Sequence, residues 1–241
     1  MPVPRIHVDR SLAPGADVAL GANGTRHVQV LRLQPGDAVR LFDGTGGEWA
    51  GEIGAIARRE VRVRPLRFDA IERELARSVT LALGMPANER MDALIEKATE
   101  LGAASIQPLV CERSVLRVAG ERALRKAAHW RAVAVSACEQ CGRNRVPAIA
   151  EPIALVQWLG GQADVAAQRL LLSTGAAAPW PPPRSEADAV MILSGPEGGL
   201  APAEETAAVA AGFVAYSLGP RVLRADTAPL GALAWLGLEN P

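Results

Sequence analysis

Leu193-Ser194-Gly195-Pro196-Glu197-Gly198-Gly199-Leu200 decides the reading of this chain, together with Leu218-Gly219-Pro220-Arg221-Val222-Leu223-Arg224. Each stretch follows an apolar run that reads as a strand, Val190 to Ser194 and Phe213 to Leu218. Each precedes a helical pattern. Strand, turn and helix in succession predict a parallel α/β sheet. Open sheets of that kind bind ligands outside the carboxyl ends of their strands. Gly195, Gly198 and Gly199 let the backbone turn tightly and approach a ligand with no Cβ in the way. Glu197 sets one carboxylate in the first turn, and Arg221 and Arg224 set two cations in the second. Two arginines at this spacing suit a phosphate or carboxylate.

The α/β pattern continues outward from these turns. Pro202 with Glu204 and Glu205 opens a helix that stops at Gly212. A last helix runs from about Thr227 to Leu238, with Thr227 as its expected N-cap. Leu170 to Leu172 is a short buried strand, and Ala178 to Pro183 an irregular loop. Upstream, Ser78 to Leu83 reads as a strand. Asn88 then opens a helix with Met91, Leu94, Ile95, Ala98 and Leu101 on one stripe and Gly102 at its stop. Ala104 to Val110 is a strand and Arg122 to about Cys141 a helix.

Before Phe68 the pattern differs. Val28 to Leu33, Ala38 to Phe42, Glu48 to Ile53 and Val61 to Arg64 are short runs separated by Gly/Pro turns. They predict the strands of a small β-barrel or sandwich. Alternation in Val61-Arg62-Val63-Arg64 puts the valines on the core face and the arginines outside. Two domains are therefore expected, 1–70 and 76–241, with the boundary near 69–76.

Composition limits the function classes. The chain has 241 residues, 49% hydrophobic and 22% charged, with net charge +0. It is globular, with no apolar run long enough to span a bilayer and no apolar leader at its start. Three cysteines and no leader favour a reduced, cytoplasmic setting. Zero net charge means that nucleic acid would be met by a local patch or by a second copy in an oligomer. The dense basic run is Arg58, Arg59, Arg62, Arg64 and Arg67, diluted by Glu60 and Asp69. Its bland reading is a solvated sheet face; its functional reading is a surface for the RNA backbone. An aromatic content of 4% argues against a base-stacking platform.

The glycine turn lacks dinucleotide-binding spacing and the Lys-Ser/Thr of a P-loop, which disfavours hydride transfer and NTP hydrolysis. Cys138 and Cys141 form a C-x-x-C, but zinc needs about four ligands and the remaining cysteine is Cys111. Helical packing at i and i+3 is the expected role, so no metal is assigned. Glu139, Gln140, Arg143, Asn144 and Arg145 crowd donors and acceptors at a helix C-terminus, where phosphate or base edges could be met.

These segments together resemble the RsmE family, bacterial enzymes that use S-adenosylmethionine to methylate N3 of uridine 1498 in 16S rRNA. The likeness runs through Arg5-Ile6, His27 to Asp37, Leu41 to Gly44, Glu96 to Gly102, Pro108-Leu109, Glu112 to Ser114 and Ala137 to Val146. It ends with Gly195 to Leu200 and Leu218 to Arg224. The resemblance implies a SPOUT-type parallel sheet with a C-terminal trefoil knot. It implies a PUA-like β-barrel for RNA in front of that sheet, and a homodimer with the cofactor site near the subunit interface. Cofactor contacts would fall on Leu172, Ser173, Gly195, Pro196, Glu197, Gly198, Gly199, Leu218, Gly219, Leu223, Thr227 and Ala228. RNA of the small ribosomal subunit would be held by Arg62, Arg64, Arg113, Glu139, Gln140, Arg143, Asn144, Arg145 and Arg221.

Arg224 is expected to stabilise the uracil anion or to grip a phosphate, with Asp226 beside it; Asp226, Glu139 and Glu197 are the candidate bases. The chain departs from the family pattern at Ala87-Asn88, where Lys-Gly is common, and at Asp226, where a glutamate is common. Two other readings stay open. One is methylation of a different RNA position; the other is an RNA-binding assembly factor with a relic pocket.

Overall fold

A computed structural model describes residues 3–58, 60–162, 165–175, 178–182 and 187–239. Arg59 and Pro183, singled out above, lie outside the described residues. The chain divides into two compact units. One comprises Met1–Glu74 with Val135–Val146, the other Leu75–Ala134 with Pro147–Pro241.

The first unit holds β1 (Arg5–His7), β2 (Val18–Ala19), α1 (Ala22–Leu31), β3 (Ala38–Phe42), β4 (Glu48–Ile56) and β5 (Val61–Asp69). They form a five-stranded sheet in the order β1-β3-β4-β5-β2. Only β1 runs parallel to its neighbour among the described strands. Ile6, Val28, Leu41, Ile53, Val61 and Val63, each at most 1% exposed, form its core. Arg62 and Arg64 point outward, as the alternation predicts.

The expected strand at Val28 to Leu33 is instead the end of α1. A strand would put Val28 and Val30 on one face, yet Val28 is buried and Val30 is 71% exposed. Gly24, Thr25 and Val28 share the buried side, which is helical spacing. Arg32 then takes a left-handed conformation (φ 55°) and its N–H closes the helix on the Val28 and Gln29 carbonyls. β-branched residues raised the strand expectation, and tertiary burial overrode it.

The second unit contains β6 (Ser78–Gly84), α2 (Asn88–Glu100), β7 (Ser105–Val110), most of α3 (Gly120–Cys141), β8 (Ala148–Ile149), β9 (Ile153–Ala154) and α4 (Leu155–Gly160). It continues with β10 (Gln168–Leu172), β11 (Ala178–Pro179), β12 (Ala189–Ser194), α5 (Pro202–Ala210), β13 (Val214–Ser217) and α6 (Thr227–Glu239). The sheet order is β11-β13-β10-β12-β6-β7-β8, with β9 also on β7, and these pairings are parallel. β11 lies within the stretch expected to be irregular. Central β12 is covered on both faces: Val190, Ile192 and Leu193 are 0% exposed and Met191 is 7%. Burial of each such side chain stabilises by roughly 1.5–3 kcal/mol. Met91, Leu94, Ile95 and Ala98 are buried along α2 as the stripe predicts. No described helix is long and apolar enough to cross a membrane.

Candidate functional site

The carboxyl ends of β10 and β12 and the loop after β13 open onto a cleft of about 670 Å³ in the second unit. Three segments frame it: Leu172 to Gly175, Ser194 to Leu200, and Val222 to Ala225 with Ala228. The middle segment is the glycine turn between β12 and α5. Gly199 has φ +69°, and its N–H bonds to the Pro196 carbonyl at 2.8 Å. A Cβ at Gly195 would lie 2.8 Å from the Leu200 nitrogen and 2.9 Å from the Gly199 carbonyl carbon. Backbone packing therefore excludes every side chain there.

Side chains brace this turn. Glu197 Oε1 accepts the Ala87 N–H at 3.1 Å, with Arg90 at 3.6 Å. Arg113 Nη1 donates to the Gly198 and Leu200 carbonyls at 3.0 and 3.2 Å. Buried Glu204 accepts the Ala201 N–H at 2.9 Å and the Glu112 N–H at 2.8 Å, tying the start of α5 to the loop after β7. Ser173 Oγ donates to Glu205 Oε1 at 3.0 Å on the cleft wall.

Most residues expected to contact cofactor meet at this cleft: Leu172, Ser173, Gly195 to Gly199, Leu223 and Ala228. Leu218, Gly219 and Arg221 line an adjoining hollow of about 50 Å³ that shares Leu172, Ser173, Leu223 and Ala228. Arg113 and Arg224 also line the main cleft. Thr227 is not the N-cap. It is the first residue of α6, and Asp226 before it accepts the Thr227 N–H on Oδ1 at 3.1 Å. The Arg224 carbonyl accepts the Thr227 and Ala228 N–H groups at 3.0 and 3.1 Å, so backbone serves the first turn of α6.

Sequence reasoning missed Arg90, Thr174 and Glu205 on the cleft wall. In sequence Glu205 reads only as a favourable charge at a helix N-terminus. Its distance of eight residues from Glu197 gives no local signal; the signal is that α5 begins where β12 ends.

The remaining expected RNA residues lie in the first unit. Arg62 pairs with Glu60 at 2.9 Å, and Arg64 with Asp17 and Glu52 at 3.2 and 3.1 Å. Glu139 accepts the His7 N–H at 3.0 Å and pairs with His27 at 3.0 Å. Gln140 is exposed. Arg143 is 3% exposed and holds Glu74 through two nitrogens. Asn144, 0% exposed, accepts from Arg5 and donates to the Ile71 carbonyl. Arg145 pairs with Glu72 at 3.1 Å, and Arg5 pairs with Glu48 at 2.6 Å. Burial alone would push the Glu48 carboxyl up; the Arg5 and Arg73 guanidiniums overcome this and hold it below its ordinary value.

Cys138 is buried, and its thiol points at the Arg145 carbonyl at 3.5 Å. Burial pushes that thiol, and Cys111, up to about 12. Among the described residues no group of His, Cys, Asp and Glu is placed to hold a metal.

Known proteins match both units. A family model described as an RNA methyltransferase domain matches residues 73–237, and one described as an RNA methyltransferase PUA domain matches 22–66. The ribosomal RNA small subunit methyltransferase E of Synechocystis is 35% identical over 86% of this chain and 67% of its own. The Bacillus subtilis protein of that name is 31% identical over 88% and 86%. A crystal structure of the Neisseria gonorrhoeae enzyme bound to S-adenosyl methionine superposes with a TM-score of 0.90 at 33% identity, covering 98% of both chains. The chain therefore belongs to the RNA methyltransferase family, in the group of ribosomal RNA small subunit methyltransferases E.

Proposed function

We propose that the chain transfers a methyl group from S-adenosylmethionine to N3 of uridine 1498 in 16S rRNA of the small ribosomal subunit. The observation that carries this reading is the single cleft in which the Gly195–Gly199 turn faces Val222 to Ala225. Its volume of about 670 Å³ falls in the range of small-molecule sites. Its charges fit a sulfonium amino acid. Glu197 and Glu205 complement the cationic groups, and Arg90 the carboxylate. Backbone of Leu172, Ser173, Gly195 to Gly199, Leu218, Gly219, Leu223 and Ala228 would hold the adenosine, with Thr227 behind it. Bound there, the cofactor supplies a methyl carbon already activated by sulfur.

The chain's own task is alignment and charge control. Uracil N3 carries a proton at neutral pH. That proton must leave as the nitrogen–carbon bond forms and the carbon–sulfur bond breaks. Arg224, on the cleft wall, stabilises the developing N3 anion. Asp226 is the proton acceptor proposed here. Each of the three candidate bases accepts a backbone N–H, Asp226 that of Thr227, Glu197 that of Ala87 and Glu139 that of His7, and Asp226 is the one two residues from Arg224. Of the proposed RNA contacts, Arg113 lines the cleft and Arg221 its adjoining hollow, while Arg62, Arg64 and Arg145, each paired with a carboxylate, and exposed Gln140 are the minor contacts of the first unit. Residues 1–70 act as the RNA-binding domain and 76–241 as the catalytic one. The C-terminal stretch is knotted, two copies pair, and the enzyme acts in the cytoplasm.

Tritiated methyl transfer to small subunits lacking the modification tests the reading. Arg224→Ala should slow transfer by about 10²-fold or more, while calorimetric binding of S-adenosylmethionine changes little. Unchanged transfer removes Arg224 from the chemistry, and no transfer by the native chain removes the reading.

A further inference from the structure

Most of the first unit's surface arginines described above are consumed by carboxylates. Arg67 adds to this pattern, pairing with Asp69 at 2.8 Å, and Arg40 reaches the same carboxylate at 3.0 Å. A sheet face that is zwitterionic in this way presents little field to a polyanion.

The N-terminal half of α3 is built differently. Ala123, Trp130 and Ala134 form its inner stripe, each at most 4% exposed. Arg122, Arg125, Lys126 and His129 follow one another at i, i+3, i+4 and i+7, so they share one flank of the helix. Arg122, Arg125 and His129 are exposed and Lys126 half-buried. Among the described residues Arg122 and Lys126 have no acidic partner. Arg125 pairs with Glu121 at 3.2 Å, and both side chains are mostly exposed (72% and 86%). Such a pair contributes at most about 1 kcal/mol and yields readily to a phosphate.

His129, at one end of this flank, is tied to α2, the helix that carries cleft residue Arg90. Asp92 of α2 accepts from Trp130 Nε1 at 3.0 Å and meets His129 Nε2 at 2.7 Å. Two residues before Asp92 stands Arg90, on the cleft wall beside Glu197. At the other end, the chain runs from Arg113 at the cleft through exposed Arg117 into α3. Arg117 donates to the Glu112 carbonyl, and among the described residues no carboxylate compensates its charge.

We infer that the Arg122–Arg125–Lys126 flank of α3 is a docking surface for the phosphate backbone of the substrate RNA. It supplies the local positive field that zero net charge denies the chain as a whole. Arginine and lysine three and four residues apart meet successive phosphates without reading bases. The inference rests on RNA being the substrate.

Salt-dependent binding of the full chain to an unmodified 16S rRNA transcript tests it. Each phosphate neutralised contributes about 0.7–0.9 to the slope of log affinity against log salt. R122Q/R125Q/K126Q should lower that slope by about two to three, with the heat of S-adenosylmethionine binding and the oligomeric mass unchanged. R62Q/R64Q/R67Q should lower it by less than about one. An unaltered slope in the α3 variant overturns the inference, as does a larger loss in the β5 variant. A changed oligomeric mass in the α3 variant also overturns it, by making the flank a contact between copies. A native chain that binds the transcript with the steep slope yet transfers no methyl group removes the methyltransferase reading and leaves this surface standing.

Discussion

The Gly195–Gly199 turn and the Cys138–Val146 tail are both dense in polar motif residues, and the fold uses them in opposite ways. Around the turn, backbone and side-chain groups of Ser173, Glu205 and Arg224 face a cavity. In the tail, Arg143 and Asn144 are turned inward and spent on Glu74, Arg5 and Ile71. The tail also joins the first unit's backbone: Thr45 bridges Arg145, and the Val146 N–H meets the Gly44 carbonyl at 3.2 Å. A buried charge is costly unless paired, so such residues are held in place by their partners. The comparison teaches that a motif rich in donors is a ligand site only where the fold leaves those donors facing space.

Removing Arg143 breaks this comparison most directly. Arg143→Ala leaves Glu74 without its bidentate partner beside a buried neighbourhood, a loss of about 3–5 kcal/mol. Urea unfolding should show it, while the folded fraction binds S-adenosylmethionine as before. Unchanged stability with lost rRNA binding would return the tail to the role of an RNA platform. Gly195→Ala probes the other side. Its Cβ must displace Leu200 or Gly199, so the turn moves. Cofactor affinity should fall by about tenfold or more, about 1.4 kcal/mol, read by calorimetry. Native affinity in that variant would show that the turn does not shape the cleft.

The same contrast explains what the sequence reveals. Periodicity places β6, α2, β12 and α5 because their apolar spacing is local and their burial follows it. The cleft turn is legible because Gly195 and Gly199 are needed for reasons internal to the turn. α1 misleads because Val28 and Val30 look like a strand until the fold buries one and exposes the other. The tail misleads because its partners, Glu74, Arg5 and Ile71, lie about seventy or more residues away. Nothing at positions 143 and 144 announces them. For the same reason Arg64 of β5 reads as part of a basic face: its partners Asp17 and Glu52 arrive from before β2 and from β4. Glu60 and Asp69 dilute the run within the sequence itself, and carboxylates brought by tertiary structure take up Arg64 as well.

The mildest test uses the tail's own cysteines. Cys138 and Cys141 stand one helical turn apart, yet Cys138 is buried and Cys141 half-buried. Desolvation raises the Cys138 thiol from its ordinary 9.0 to about 12. Neutral thiol is thus favoured in the folded state, and the stability this contributes is complete below pH 9. It is lost as pH rises from the ordinary value toward 12. Because the thiolate is the nucleophile, a maleimide at pH 8 should label Cys141 first and leave Cys138 and Cys111 for the unfolded chain. Cys141→Ser should then block labelling of the folded protein with methyl transfer intact. Equal labelling of both cysteines would mean that the tail opens under native conditions, and the distinction between a spent segment and a ligand-facing one would fail there.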